Sequence, residues 1–355
     1  MYKFITYLIF VHYRVSSVVT ARSEVTFAAV TILYLYRYIK MLNMFRSLLT
    51  VICWYLRPLM KWFLRKTTRL CELQRLCYGE KAGAPRSLGV ENSLLLSRSP
   101  DIKNLVVFLD RISDGRKFTG TNRDNVIQYA VHTVLRVKRI NPRIHPQFGR
   151  SFAKCVEHIW GYRQLVQEIE TLRTTQYDAK NEDHENKLLT LWELLMPSTE
   201  LETRVTKQWQ DIGFQGDDPK TDFRGMGMLG LENLVYFARE YPGPASHVLS
   251  HSHHPQYGYE FAIVGINLTS MAYHMLKDGS AKTHVYNTSR GVPTVRVFHQ
   301  FYCYLFYEFD RFWIEAKPRN VMDFSYIREK FENRIRLALA NPASAFRINI
   351  SIDNI

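Results

Sequence analysis

Two stretches, 259–276 and 298–313, are apolar or aromatic on nearly every side when wound as helices. A helix without a polar face is stable only when other elements enclose it. Elsewhere the chain supplies apolar residues at steps of three and four, while the two-residue alternation of half-buried strands is scarce. An all-α, multi-helix fold is therefore predicted. Helices are expected near 101–112, 123–139, 151–175, 184–196, 200–212, 229–240, 259–277, 294–316 and 321–340. Pro197 ends one of them, and Thr199 with Glu202 has the capping-box spacing that would open the next. Residues 79–100, rich in Gly, Ser and Pro, read as a linker.

Charge is unevenly placed. Residues 1–75 hold twelve Lys and Arg against Glu24 and Glu72, a net +10 of the chain's +14. The remaining 280 residues, with 35 basic and 31 acidic side chains, are nearly neutral, so no nucleic-acid partner is expected. Five scattered cysteines give neither a disulfide framework nor a zinc spacing and imply reduced thiols. The longest uncharged N-terminal stretch, 25–36, is too short to span a bilayer, which takes ~20 apolar residues. From Met44 the pattern tightens: Leu49, Ile52, Leu56, Leu59, Met60 and Phe63 line one face, and Arg57, Lys61, Arg65 and Arg69 line another. A basic amphipathic helix with Trp54 and Trp62 suits a membrane interface, and equally a domain surface that its apolar side would cover. The expected organisation is an N-terminal extension (1–43), this helix (44–78), the linker (79–100), a helical domain (101–342) with its core motif at 188–316, and a tail (343–355).

One segment departs from helical design. Residues 209–231, WQDIGFQGDDPKTDFRGMGMLGL, place five glycines around a proline, four aspartates and Arg224. Such a run is an irregular, shaped loop, the kind of element that carries binding groups on a helical frame. Gly225, Gly227 and Gly230 have the G-x-G-x-x-G spacing, yet no strand precedes them, so a dinucleotide loop is not expected. Asp217, Asp218 and Asp222 are carboxylates in a turn, which ordinarily cap backbone N–H groups and only rarely hold a cation. His247 and His251, at i and i+4, could share a helix face as metal ligands do, but no cysteine or acid nearby completes a set; with His253 and His254 they read as a solvated loop, and no metal is expected. Arg224 has two readings from its residue type alone. Paired with Asp222 or Asp218 it is structural, the commoner case; exposed, it can enter another protein's phosphate site and stabilise a transferring phosphoryl group.

The segment Trp209–Gly227, W-x3-G-F-Q-x-x-D-P-x-T-D-F-R-G-x-G, resembles the signature of the ELMO domain-containing (ELMOD) family. The resemblance extends through 188–197, 229–237, 259–273 and 298–313, and upstream through 60–75, covering about residues 44–340. It implies an all-helical ELMO domain and the activity of the short members, GTPase activation of GTP-bound ARF and ARF-like proteins. Arg224 is then the implied catalytic residue. Trp209, Gly213, Phe214, Gln215, Asp218, Pro219, Thr221, Asp222, Phe223, Gly225 and Gly227 would build and position its loop. No cofactor of its own is implied, because Mg²⁺ and nucleotide belong to the GTPase. The family suggests a cytoplasmic protein attached peripherally to mitochondria, endoplasmic reticulum or Golgi. The alternative is a non-catalytic scaffold for GTPases or exchange factors, as in the larger proteins that share the domain. Residues 1–43 precede the usual family start, and 101–121 strays from the family pattern.

Overall fold

A computed structural model describes residues 58–114 and 123–348, with Met41, Met44, Ile52, Tyr55 and Leu56. The chain divides after Cys71 into two compact units. In the first, residues 58–68 are helical, and Leu59, Met60, Trp62 and Phe63 are all more than half exposed. Arg65 and Arg69 are exposed and Lys61 is half-buried; Arg57 and, apart from Met41, the expected extension at 1–43 lie outside the described residues. The helix closes where Thr68 Oγ1 donates to Leu64 O at 2.5 Å and Arg69 turns to φ 56°. No helix among the described residues is long and apolar enough to cross a membrane.

The second unit is helical throughout, with no strand among the described residues. Its helices are α1 (Glu72–Gly79), α2 (Ala84–Leu95), α3 (Pro100–Asp114), α4 (Arg123–Lys138), α5 (Pro146–Thr174) and α6 (Glu182–Leu195), then α7 (Gly227–Glu240), α8 (Pro242–Ser252), α9 (Phe261–Lys277), α10 (Lys282–Thr288), α11 (Val295–Ala316) and α12 (Phe324–Leu339). The two nearly all-apolar stretches become α9 and α11. They pack on each other and on α7, and Leu268, Met275, Tyr302, Leu305 and Phe306 are fully enclosed between them. The 29-residue α5 packs against α3, α4 and α7. Pro146 opens α5 at a position where a missing N–H costs nothing.

Three expectations need correction. The linker at 79–100 carries helix α2, whose Ala84 and Val90 are wholly buried. Tertiary bonds override its weak composition: Ser87 Oγ meets His158 Nδ1 at 2.8 Å, and Glu91 pairs with Lys282 at 2.7 Å. The tail begins by folding back, with Phe346 stacked on Tyr304 at 4.7 Å and Asn287 donating to Ser344 O. No helix forms over 200–206, because side chains take the backbone groups that a helix would use. Trp192 Nε1 donates to Thr199 O at 2.8 Å, and Gln208 accepts from Glu202 N while donating to Glu200 O. The Thr199–Glu202 capping box is therefore absent, and only a 3-10 turn, Lys207–Ile212, remains of the expected helix.

Candidate functional site

The glycine-rich segment bridges α6 and α7 as two 3-10 turns, Lys207–Ile212 and Pro219–Arg224. Its interior is an aromatic ladder. Trp192 meets Trp209 edge-on at 5.5 Å, Trp209 meets Phe214 at 5.9 Å, Phe214 meets Phe223 at 5.6 Å, and Phe223 meets Tyr177 at 5.5 Å. Trp209, Phe214 and Phe223 are at most 1% exposed. Enclosing a large apolar side chain contributes roughly 1.5–3 kcal/mol, so the ladder gives a loop without regular structure a core of its own.

Glycines let this ladder sit tightly against the helices. Gly213 ends the first turn at φ 80°, and a Cβ there would stand 2.2 Å from Phe261 N, at the start of α9. Gly227 opens α7 at φ 52°, where a Cβ would fall 2.4 Å from the carbonyl oxygens of both Arg173 and Thr175. Met228 N donates to that Thr175 oxygen at 2.8 Å, joining α7 to the end of α5. Gly216 and Gly225 are different: a methyl group on either would have no atom within 4 Å, so their outer side is open space. The Gly225–Gly230 run follows a 3-10 turn, as expected of a loop entering a helix.

The acidic residues brace the loop from inside. Asp218 caps the second turn by accepting from Lys220 N at 3.1 Å, and the buried Pro219 follows at its first position. Asp222 Oδ2 accepts from Gln215 N at 3.0 Å, closing the loop across seven residues. Burial raises the Asp222 carboxyl above its usual range, although the Gln215 N–H, Thr221 and the charge of Arg224 favour its ionised form. The Gln215 side chain and Thr221 are exposed.

Sequence reasoning missed the arginine that pairs with Asp218. It is Arg204, whose Nη1 lies 3.1 Å from Asp218 Oδ1 and whose Nε donates to Glu185 Oε2 at 2.5 Å. Nη2 adds bonds to Glu185 Oε1 at 3.1 Å and Tyr177 Oη at 3.2 Å, while the Tyr177 hydroxyl itself donates to Glu185. Burial disfavours the charged guanidinium, but Glu185, Tyr177 and Asp218 outweigh it and hold Arg204 firmly protonated. Arg204 belongs to the irregular stretch after α6, and Glu185 is 19 residues away, so no helical spacing connects them.

Arg224 stands apart from this network. It ends the second turn directly after the buried Phe223, and its side chain is exposed. It bears on Asp222 only through space, and it makes no hydrogen bond or ion pair among the described residues. The predicted loop residues thus separate by direction. Trp209, Gly213, Phe214, Pro219, Phe223 and Gly227 face inward, and Gln215, Thr221, Arg224 and Gly225 face out.

Only part of the histidine segment is a solvated loop: His247 and His251 lie on α8, His253 caps it, with Nε2 2.7 Å from Asp211 O, and His254 follows in exposed, non-helical chain. Proline at its start and α7, α9 and α11 around it make residues 242–252 helical.

Comparison with known proteins matches residues 167–328 to the model of the ELMO/CED-12 family, a span that contains the whole loop. The chain is 46% identical over 310 residues to mouse ELMO domain-containing protein 1, covering 82% of this chain and 91% of that protein. It is 48% identical over 282 residues to human ELMO domain-containing protein 2, covering 79% and 91%. A more distant relative, ELMO domain-containing protein B of Dictyostelium discoideum, is 37% identical over 185 residues, covering 52% and 64%. With this identity sustained over most of its length, the chain belongs to the ELMO/CED-12 family, among the ELMO domain-containing proteins.

Proposed function

We propose that this protein activates GTP hydrolysis on ARF or ARF-like GTPases by inserting Arg224 into the partner's nucleotide site. The observation that carries this reading is the contrast between two arginines of one loop. Arg204 is held by hydrogen bonds to Glu185 and Tyr177 and by an ion pair with Asp218, whereas Arg224 is exposed with its fork uncommitted. Phe223 and Asp222, immediately before it, are fixed by packing and by the Gln215 bond, so the arginine projects from a braced backbone. Preorganisation lowers the entropy lost on docking. Gly225 leaves the adjacent surface clear for a partner's backbone.

The chemistry needs little from the activator. In phosphoryl transfer, negative charge spreads over the equatorial γ-phosphoryl oxygens, and an arginine supplied in trans accelerates the step about 10³–10⁵-fold. A planar guanidinium matches two of those oxygens at once. Nucleotide, Mg²⁺ and the group that orients water belong to the GTPase. Single-turnover hydrolysis on a panel of preloaded ARF and ARF-like proteins tests the reading: acceleration of at least one supports it, and binding without acceleration identifies a scaffold instead.

The same proposal includes peripheral attachment to a cytoplasmic membrane surface, such as mitochondria, endoplasmic reticulum or Golgi, through the first unit. Exposed Leu59, Met60, Trp62 and Phe63 beside Arg65 and Arg69 support it. Flotation with anionic liposomes, with and without residues 1–71, measures this directly; equal flotation of both proteins refutes it.

A further inference from the structure

A second cluster lies where α8 packs against α11 and has no part in the loop chemistry. His247 and His251, four residues apart on α8, present their rings side by side with centroids 4.0 Å apart. Asp310 of α11 reaches them from the core, wholly buried, with Oδ2 2.7 Å from His251 Nδ1. One nitrogen from each histidine and one Asp310 oxygen all lie within 4.8 Å of one another. Behind them the Tyr259 hydroxyl donates to Asp310 Oδ1 at 2.7 Å, which fixes the carboxylate and leaves Oδ2 directed at the imidazoles. His247 is exposed, so the cluster opens to solvent on one side.

We propose that His247, His251 and Asp310 form a zinc site, with water completing the coordination on the open side. Two imidazoles and one carboxylate are the donor set of zinc centres that keep a position free. Tyr259 takes the part of the outer partner that orients a ligating carboxylate. A plain Asp–His bond requires only His251. A shared cation also accounts for the second imidazole, set 4.0 Å from the first. With bonds near 2.0 Å, tetrahedral zinc sets ligand atoms about 3.3 Å apart. The cluster reaches that spacing by a small opening of the His251–Asp310 pair and a rotation of the exposed His247 side chain. Imidazole and carboxylate ligands also admit other divalent transition metals, so the metal that binds is settled by competition.

The full chain, stripped with chelator, is titrated with Co²⁺ and then with Zn²⁺. The expected result is one equivalent of Co²⁺ with the intense visible bands of a four-coordinate ion, lost as Zn²⁺ displaces it. His247→Ala, at an exposed position that leaves the fold intact by circular dichroism, weakens Zn²⁺ binding at least tenfold. His132→Ala, at an exposed histidine of α4, leaves it unchanged. Absence of four-coordinate bands, or a loss of less than tenfold in His247→Ala, overturns the site. Neither result bears on Arg224, which is read out by GTP hydrolysis.

Discussion

Arg204 holds the Asp218 carboxylate at 3.1 Å, and this pair frees the neighbouring Arg224 from structural duty. From residue types alone, the commoner expectation puts Asp218 or Asp222 on Arg224. With both acids committed elsewhere, to Arg204 and to Gln215 N, an exposed arginine is left with no partner in its own loop. The two residues predict opposite mutational signatures. Arg204→Ala removes the counter-charge of half-buried Glu185 and should cost about 1–3 kcal/mol in urea unfolding. Arg224→Ala should stay within about 0.5 kcal/mol of the parent.

The glycines on either side of Met226 should also separate. Gly227→Ala drives a methyl group into two backbone oxygens at a left-handed φ, for an expected loss of roughly 2–4 kcal/mol. Gly225 has helical backbone angles and open space around it. Gly225→Ala should therefore be neutral or stabilising by up to about 1 kcal/mol. Thermal unfolding of the two variants side by side checks both signs.

Phe223→Ala should cost about 3–5 kcal/mol, because the ring is wholly enclosed between Phe214 and Tyr177. Since Arg224 follows it, the same change should lower GTPase activation even at temperatures where the domain is still folded. Activation equal to the parent's under those conditions would show that the ladder does not position Arg224.

Two of the buried histidines contribute to the acid side of stability. Burial lowers the pKa of His284 to about 3 and of His299 to about 4, so both are neutral in the fold. His284 Nδ1 accepts the Phe346 N–H, a bond that needs the unprotonated ring. Below the unfolded value of about 6.5, the unfolded chain binds these protons and the folded chain does not. Stability should thus fall from about pH 6.5 downward, by up to about 1.4 kcal/mol per pH unit for each group, until the folded values are reached. His299→Leu should flatten that slope in urea titrations between pH 6.5 and 4, whatever it does to stability at pH 7.

The fold was legible wherever helical spacing met strong apolar content. The two largely apolar and aromatic stretches became the central α9 and α11, and the expected helix near 123–139 is α4. Reading failed where long-range partners decide local structure. Composition marks 79–100 as a linker, but Ser87 and Glu91 find His158 and Lys282 and a helix results. A capping box at Thr199 loses to the side chains of Trp192 and Gln208. At the site, the sequence marks Arg224 and its loop, but Arg204 and Glu185 carry no motif. Asp310, 59 residues from His251, is likewise invisible until α8 and α11 are packed together.

The most direct test is single-turnover GTP hydrolysis on the ARF or ARF-like protein that binds best, comparing the parent with Arg224→Lys. Lysine keeps the charge and loses the planar two-point contact. Binding should persist while most of the acceleration, about 10³-fold or more, disappears. Full acceleration by Arg224→Lys, with binding unchanged, would contradict an arginine finger at this position.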